Sequence, residues 1–138
     1  MNELEQLERK TRLWHIEKAA GKISRFIAER TLEQFLTDEM LRAAVERELI
    51  TIGEAMARAE QVDPELVNLI TDVPGIIACR NQLVHNYPRI APERIWEIVS
   101  EHLPLLLTKS ARFLLVRILH SPLERIGDGQ AATANRRR

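Results

Sequence analysis

Three side chains in the stretch Arg80-Asn81-Gln82-Leu83-Val84-His85-Asn86-Tyr87 have the chemistry to work on a phosphate ester. Arg80 stays charged at any physiological pH, and its planar fork matches two phosphate oxygens. His85 titrates near neutrality and can give or take a proton. Cleavage of a phosphodiester by its own 2′-hydroxyl needs a base for that hydroxyl, an acid for the departing 5′-oxygen and positive charge at the phosphorane. Arginine and histidine supply these without a metal. Tyr87 is a poor base at neutral pH, because a phenol titrates near 10, and it also fits a half-buried ring at a helix end. The ordinary account of the same residues is a surface ion pair for Arg80 and a helix-capping role for His85. An arginine and a histidine five apart recur by chance in about one chain in ten, so spacing alone does not decide between the accounts.

The element that must position these residues is punctuated. Pro74 and Gly75 precede the stretch and Pro88 follows it, which predicts a helix from about Pro74 to about Asn86. His85 then lies in the last turn, where the helix dipole favours a positive charge. At about 100° per residue, Arg80 and His85 are about 140° apart around the axis, whereas Arg80 and Tyr87 are about 20° apart. One helix cannot turn Arg80 and His85 onto one atom unless it frays at His85 or a second copy faces it. Asn81 shares a stripe with His85 at i,i+4 and is placed to orient it or the substrate.

The rest of the chain reads as supporting helices. Leu13, Ile16, Ala20, Ile23 and Ile27 recur at steps of three and four, giving a first helix over about Asn2 to Arg30, with Trp14 as a core or interface ring. Thr31 to Leu36 reads as a connector, with Leu32, Phe35 and Leu36 folding back on the core. Thr37 or Asp38 can cap a second long helix whose apolar stripe is Leu41, Val45, Leu49, Ile52, Met56 and Ala59, ending near Gln61. Its other face carries Arg47, Thr51, Glu54 and Arg58, read as a solvated ladder with Glu54 and Arg58 paired at i,i+4. Asp63-Pro64-Glu65 opens a short helix anchored by Leu66, Leu69 and Ile70. In the central helix Ile76, Ile77, Leu83 and Val84 are the packing candidates. Ala91-Pro92-Glu93 opens a last long helix with Ile95, Val99, Leu103 and Leu106, continued by Phe113, Leu114 and Ile118, and Pro104 should bend it. The expected fold is all-α: an antiparallel up-and-down bundle of four main helices plus a short one, over residues 1–119. From 120 the chain turns to glycine and arginine, and residues 120–138 read as a disordered tail.

Composition narrows the function classes. The 138 residues suit one domain. Apolar residues at 45% and aromatic residues at 4% imply an aliphatic helix–helix core. Twenty basic and twenty acidic residues cancel, so no global field draws the protein to nucleic acid, and any such site must be local or assembled between subunits. A single cysteine, Cys79, excludes an intrachain disulfide, and no Cys/His cluster has zinc spacing. The polar, acidic first residues are unlike a secretory signal, and no uncharged run approaches the ~20 residues of a membrane span. A cytoplasmic protein without cofactor or metal is expected.

The pattern R-x4-H-x-Y over Arg80, His85 and Tyr87 resembles the signature of HEPN-type ribonucleases, and more closely of HepT-like toxins. Supporting similarity lies in Arg47-Glu48-Leu49-Ile50-Thr51-Ile52-Gly53-Glu54-Ala55 and in Ile95-Trp96-Glu97-Ile98-Val99 followed by Leu103-Pro104. Together these cover about residues 10–115. Asn86 departs from the acid often found between the histidine and tyrosine. The resemblance implies a HEPN-like bundle and a metal-independent endoribonuclease toxin of a type VII-like toxin–antitoxin pair. It implies RNA as substrate, catalytic Arg80 and His85, and supporting Asn81 and Glu54. The partner it implies is a MntA-like nucleotidyltransferase antitoxin that attaches AMP to Tyr87. Because one chain offers one His85, the expected active unit is a homodimer, possibly assembled further, with two histidines and two arginines in a shared cleft. The alternative is a catalytically idle helical dimer that helps a nucleotidyltransferase bind its substrate.

Overall fold

The computed structural model describes residues 2–65, 72–85 and 89–105. Helix α1 spans Glu3–Ile27, α2 Leu32–Thr37, α3 Glu39–Val62, α4 Val73–His85 and α5 Pro92–Glu97. Each of the first three starts on a side-chain cap. Asn2 and Glu5 form a reciprocal box at α1, with Oδ1 of Asn2 accepting from Glu5 N–H at 2.8 Å. Thr31 and Gln34 do the same at α2, and Asp38 accepts from Leu41 N–H at 3.0 Å at α3. These bonds satisfy amide donors that the first helical turn leaves open.

Two interfaces dominate the packing, α1 on α3 and α4 on α3. The first is antiparallel: Arg9 pairs with Asp63 at 2.8 Å and Lys22 with Glu48 at 3.7 Å, so residues late in α3 meet residues early in α1. Leu13, Ile16, Ala19 and Ile23 of α1 are buried, as are Leu41, Val45, Leu49, Ile52, Met56 and Ala59 of α3. The α3 stripe is the one expected from its spacing. Ile76, Ile77 and Leu83 of α4 pack against this core, and the last helix adds Ile95 and Val99. α5 also stacks Trp96 on Phe35 of α2, with ring centroids 5.3 Å apart. The all-α bundle is as expected, and no described helix is long and apolar enough to cross a membrane.

Several local expectations are corrected. The connector at 31–36 is a helix, because Thr31 and Gln34 cap it and Phe35 anchors it with no exposed surface. Leu32 faces out instead of folding back, and Val84 is 44% exposed rather than packed. Of the core or interface place expected for Trp14, the core is ruled out, since the ring is 47% exposed with the Lys18 ammonium over it. The last helix does not simply bend at Pro104. After Glu97 it widens into a π-helical turn, Ile98–His102, in which Leu103 N–H donates to the Ile98 carbonyl, and tightens to 3-10 geometry over Leu103–Leu105. A proline ring crowds the carbonyl four residues back, and a wider turn ahead of it relieves that crowding. The expected anchors Leu66, Leu69 and Ile70, the continuation Leu106, Phe113, Leu114 and Ile118, and the tail 120–138 lie outside the described residues.

Ile52 sits at the centre of α3 with 1% exposure, so Ile52→Ala should lower unfolding free energy by about 2–5 kcal/mol. Leu4→Ala, at a residue 78% exposed, should change it by about 0.5 kcal/mol or less. Chemical denaturation of both variants measures the contrast.

Candidate active site

Arg80 is placed by a side chain that α3 lacks. A Cβ built on Gly53 would stand 2.7 Å from Cγ of Arg80, nearer still to its Cβ, and 3.4 Å from the Ile76 carbonyl oxygen. Any larger residue at 53 would push α4 off α3. With glycine there, the Arg80 stem lies across α3 and its guanidinium emerges beside the next residue, Glu54. Nη2 donates to Oε1 of Glu54 at 3.4 Å, and Nη1 donates to Oδ1 of Asn81 at 2.8 Å. Nε is buried and has no partner among the described residues.

The Arg80 side chain is 30% exposed and Glu54 is 52% exposed. A pair so open to water contributes only about 0–1 kcal/mol. Its effect is positional: it holds a permanent cation at the surface, gripped loosely enough for an incoming anion to replace the carboxylate. The expected Glu54–Arg58 pairing is overturned, because Glu54 turns across the interface to Arg80.

His85 closes α4 as its last residue, exposed and without a side-chain hydrogen bond among the described residues. Arg80, Glu54 and Asn81 are therefore brought together, while His85 lies about 140° around the helix from Arg80. Asn81 meets Arg80, not His85. Tyr87 lies outside the described residues. The residue without a role in the sequence reading is Gly53. Its signal was present, since a glycine inside a buried helical stripe marks a close approach by another backbone or side chain.

Neither Arg80 nor His85 lines the partly open cavity of the bundle. That space, about 340 Å³, lies between α3, α4 and the last helix, with Leu49, Ile52, Ile76 and Ile98 among its walls. Cys79 also faces it. Burial pushes the Cys79 thiol above its ordinary value, and the nearby Arg94 charge offsets this in part. The thiol is thus protonated at neutral pH and a weak nucleophile. A second, open groove of about 490 Å³ runs along α3 past Arg47 and Thr51 to Glu54. Among the described residues, Glu97, Glu101 and His102 are the group close enough to share a cation. Glu97 already accepts from Arg94 and pairs with His102, and these contacts hold its carboxyl below the usual range. The Arg94 guanidinium already on that carboxylate competes with any metal.

An all-α bundle is the fold that the sequence resemblance implied. The profile of the Ribonuclease HepT-like family matches residues 16–113, and the chain belongs to that family. It is similar to two proteins of Methanocaldococcus jannaschii. One, named Putative RNase MJ0127, is 35% identical over 81 residues, which cover 57% of this chain and 64% of the relative. The other, Putative RNase MJ1380, is 30% identical over 94 residues, covering 67% of this chain and 84% of the relative. The chain thus spans just under two thirds of the first relative's length. No solved structure matches it.

Two glycines give opposite expectations. Gly53→Ala should destabilise by about 1–3 kcal/mol, through overpacking against Arg80. Gly21→Ala in α1, where an added Cβ meets only the tip of Arg25 at 3.6 Å, should stabilise by up to about 1 kcal/mol. Denaturant unfolding of the pair reads both signs.

Proposed function

We propose that this protein is a metal-independent endoribonuclease toxin whose active unit is a homodimer. Two copies of α4 face one shared cleft and supply two Arg80 guanidiniums and two His85 imidazoles. The observation that carries this reading is the fixed, solvent-facing Arg80 with His85 turned away from it on the same helix. Within one chain they cannot act on one phosphate, and a two-fold axis beside α4 removes the difficulty. Arg80 binds the scissile phosphate and stabilises the phosphorane, drawing its charge from Glu54 to the substrate. One imidazole removes the 2′-hydroxyl proton and the other protonates the leaving 5′-oxygen. Glu54 and Asn81 position Arg80.

The same reading makes Tyr87 the site where a MntA-like nucleotidyltransferase attaches AMP. A bulky anion two residues from His85 fills the cleft and repels RNA phosphate. The family membership and the names of the two relatives support ribonuclease chemistry; the dimeric site and the tyrosine modification are the finer parts of the proposal.

His85→Ala should lower RNA cleavage by about 10²–10⁴-fold with unfolding free energy unchanged within ~0.5 kcal/mol, and should abolish growth arrest on expression. A monomer in light scattering with full cleavage activity would refute the composite site. Expression without growth arrest, and without RNA cleavage by the purified chain, would favour the idle substrate-binding dimer. Intact mass and peptide mapping after co-expression with the cognate transferase should find AMP on Tyr87, and adducts confined to another residue would refute that assignment.

A further inference from the structure

The exposed face of α3 holds two arginines that the site described above does not use. Arg47 and Arg58 are exposed, and neither side chain makes a hydrogen bond or ion pair among the described residues. The partner expected for Arg58 is occupied, since Glu54 is drawn across to Arg80. Arg47, Glu54 and Arg58 follow one another at steps of seven and four, which keeps them within about 40° on one side of the helix. Measured along the axis, Arg47 lies about 10 Å from Glu54 on one side and Arg58 about 6 Å on the other, so the two arginines are about 16 Å apart. The groove that holds Arg47 runs to Glu54, the carboxylate that grips Arg80. Its walls include uncharged Ile50 and Thr51, with Glu46, just ahead of Arg47, as the one further acid.

We propose that Arg47 and Arg58 bind the RNA backbone on either side of the phosphate held by Arg80, forming a phosphate track along α3. This rests on the ribonuclease reading above and names how that site holds its substrate. Three guanidiniums in a row about 16 Å long suit a few consecutive phosphates of a single strand, at the short end of the ~4–16 nucleotides of sequence-indifferent grooves. No aromatic side chain occupies this face between Met40 and Arg58, so bases have no stacking platform here. Recognition along the track is therefore electrostatic, indifferent to sequence and steeply dependent on salt. It also explains how a chain with no net charge holds a polyanion: the cations are local, and Arg80 uses Glu54 as a placeholder until a phosphate arrives.

The test is binding of a fluorescein-labelled single-stranded polyuridine, followed by anisotropy through a salt series. The full-length chain carries His85→Ala so that the strand stays intact. Adding Arg47→Gln with Arg58→Gln should weaken binding about fivefold to tenfold near 0.1 M salt. It should also flatten the slope of log affinity against log salt by about 1.4, at ~0.7 for each single-strand phosphate no longer neutralised. Each single variant should remove about half of that slope change. Lys18→Gln with Arg25→Gln on α1 removes the same charge elsewhere and should leave the slope as it was. An unchanged slope in the α3 variant, an equal fall in the α1 control, a shift in subunit mass by light scattering, or no RNA binding by the parent would each overturn the track. Cleavage is scored separately with His85 restored. A slope effect without cleavage sinks the nuclease reading and leaves the track; cleavage with an unchanged slope does the reverse.

Discussion

The close approach of α4 to α3 at Gly53 is the contact on which the site depends. Two helices normally meet through side chains, and the volume of those side chains sets their separation. Here one helix contributes only a hydrogen, so Arg80 crosses the axis of its neighbour instead of standing off it. That brings the guanidinium within reach of Glu54 and keeps one of its nitrogens, Nε, buried without a partner among the described residues. The result is a cation whose position is set by packing while its outer nitrogens remain open to water. Such a group needs little reorganisation when a phosphate arrives, and preorganised charge is the largest single contribution in many enzymes.

The remainder of the bundle holds α3 in place for that contact. α1 covers a neighbouring face of α3 with an aliphatic stripe, and two ion pairs, Arg9–Asp63 and Lys22–Glu48, fix the register of the antiparallel pair. Arg9–Asp63 is the better buried of the two, with side chains 21% and 13% exposed, and it ties the start of α1 to the end of α3. The α2 helix and the last helix close one end through Phe35 and Trp96. The cavity between α3, α4 and the last helix lies on the side of α4 away from Arg80. Its walls mix apolar residues with Asp72, Arg94 and His102, and it includes none of the residues assigned to the proposed chemistry.

One helix carrying both Arg80 and His85 imposes a choice. Side chains five positions apart diverge, so either a single chain uses one of them alone or two chains combine them. The proposed ribonuclease chemistry needs both a fixed cation and two proton-transfer steps, and the proposed two-fold axis beside α4 would meet the need without further residues. The near-zero net charge is consistent with this, because a locally assembled positive cleft does not require a positive protein.

The helices, their apolar faces and the residue types that carry the chemistry were legible along the chain. Those properties depend on spacing and on local caps, which is why the α3 stripe from Leu41 to Ala59 and the span of α4 could be read off to within a residue or two. Capping chemistry was also legible at α2, where Thr31 and Gln34 specify a helix start, although the segment is short enough to pass for a connector. Which neighbour each polar group chose was settled only by packing. Glu54 has Arg58 one turn away on its own helix, yet it takes Arg80 from another, because Gly53 lets that helix come closer than any spacing rule implies. Asn81 turned to Arg80 for the same reason, and Arg58 was left without a side-chain partner among the described residues. Local sequence fixes the menu of partners along one helix; the distance between two helices is a sum over side-chain volumes from both, and it exists only once they pack.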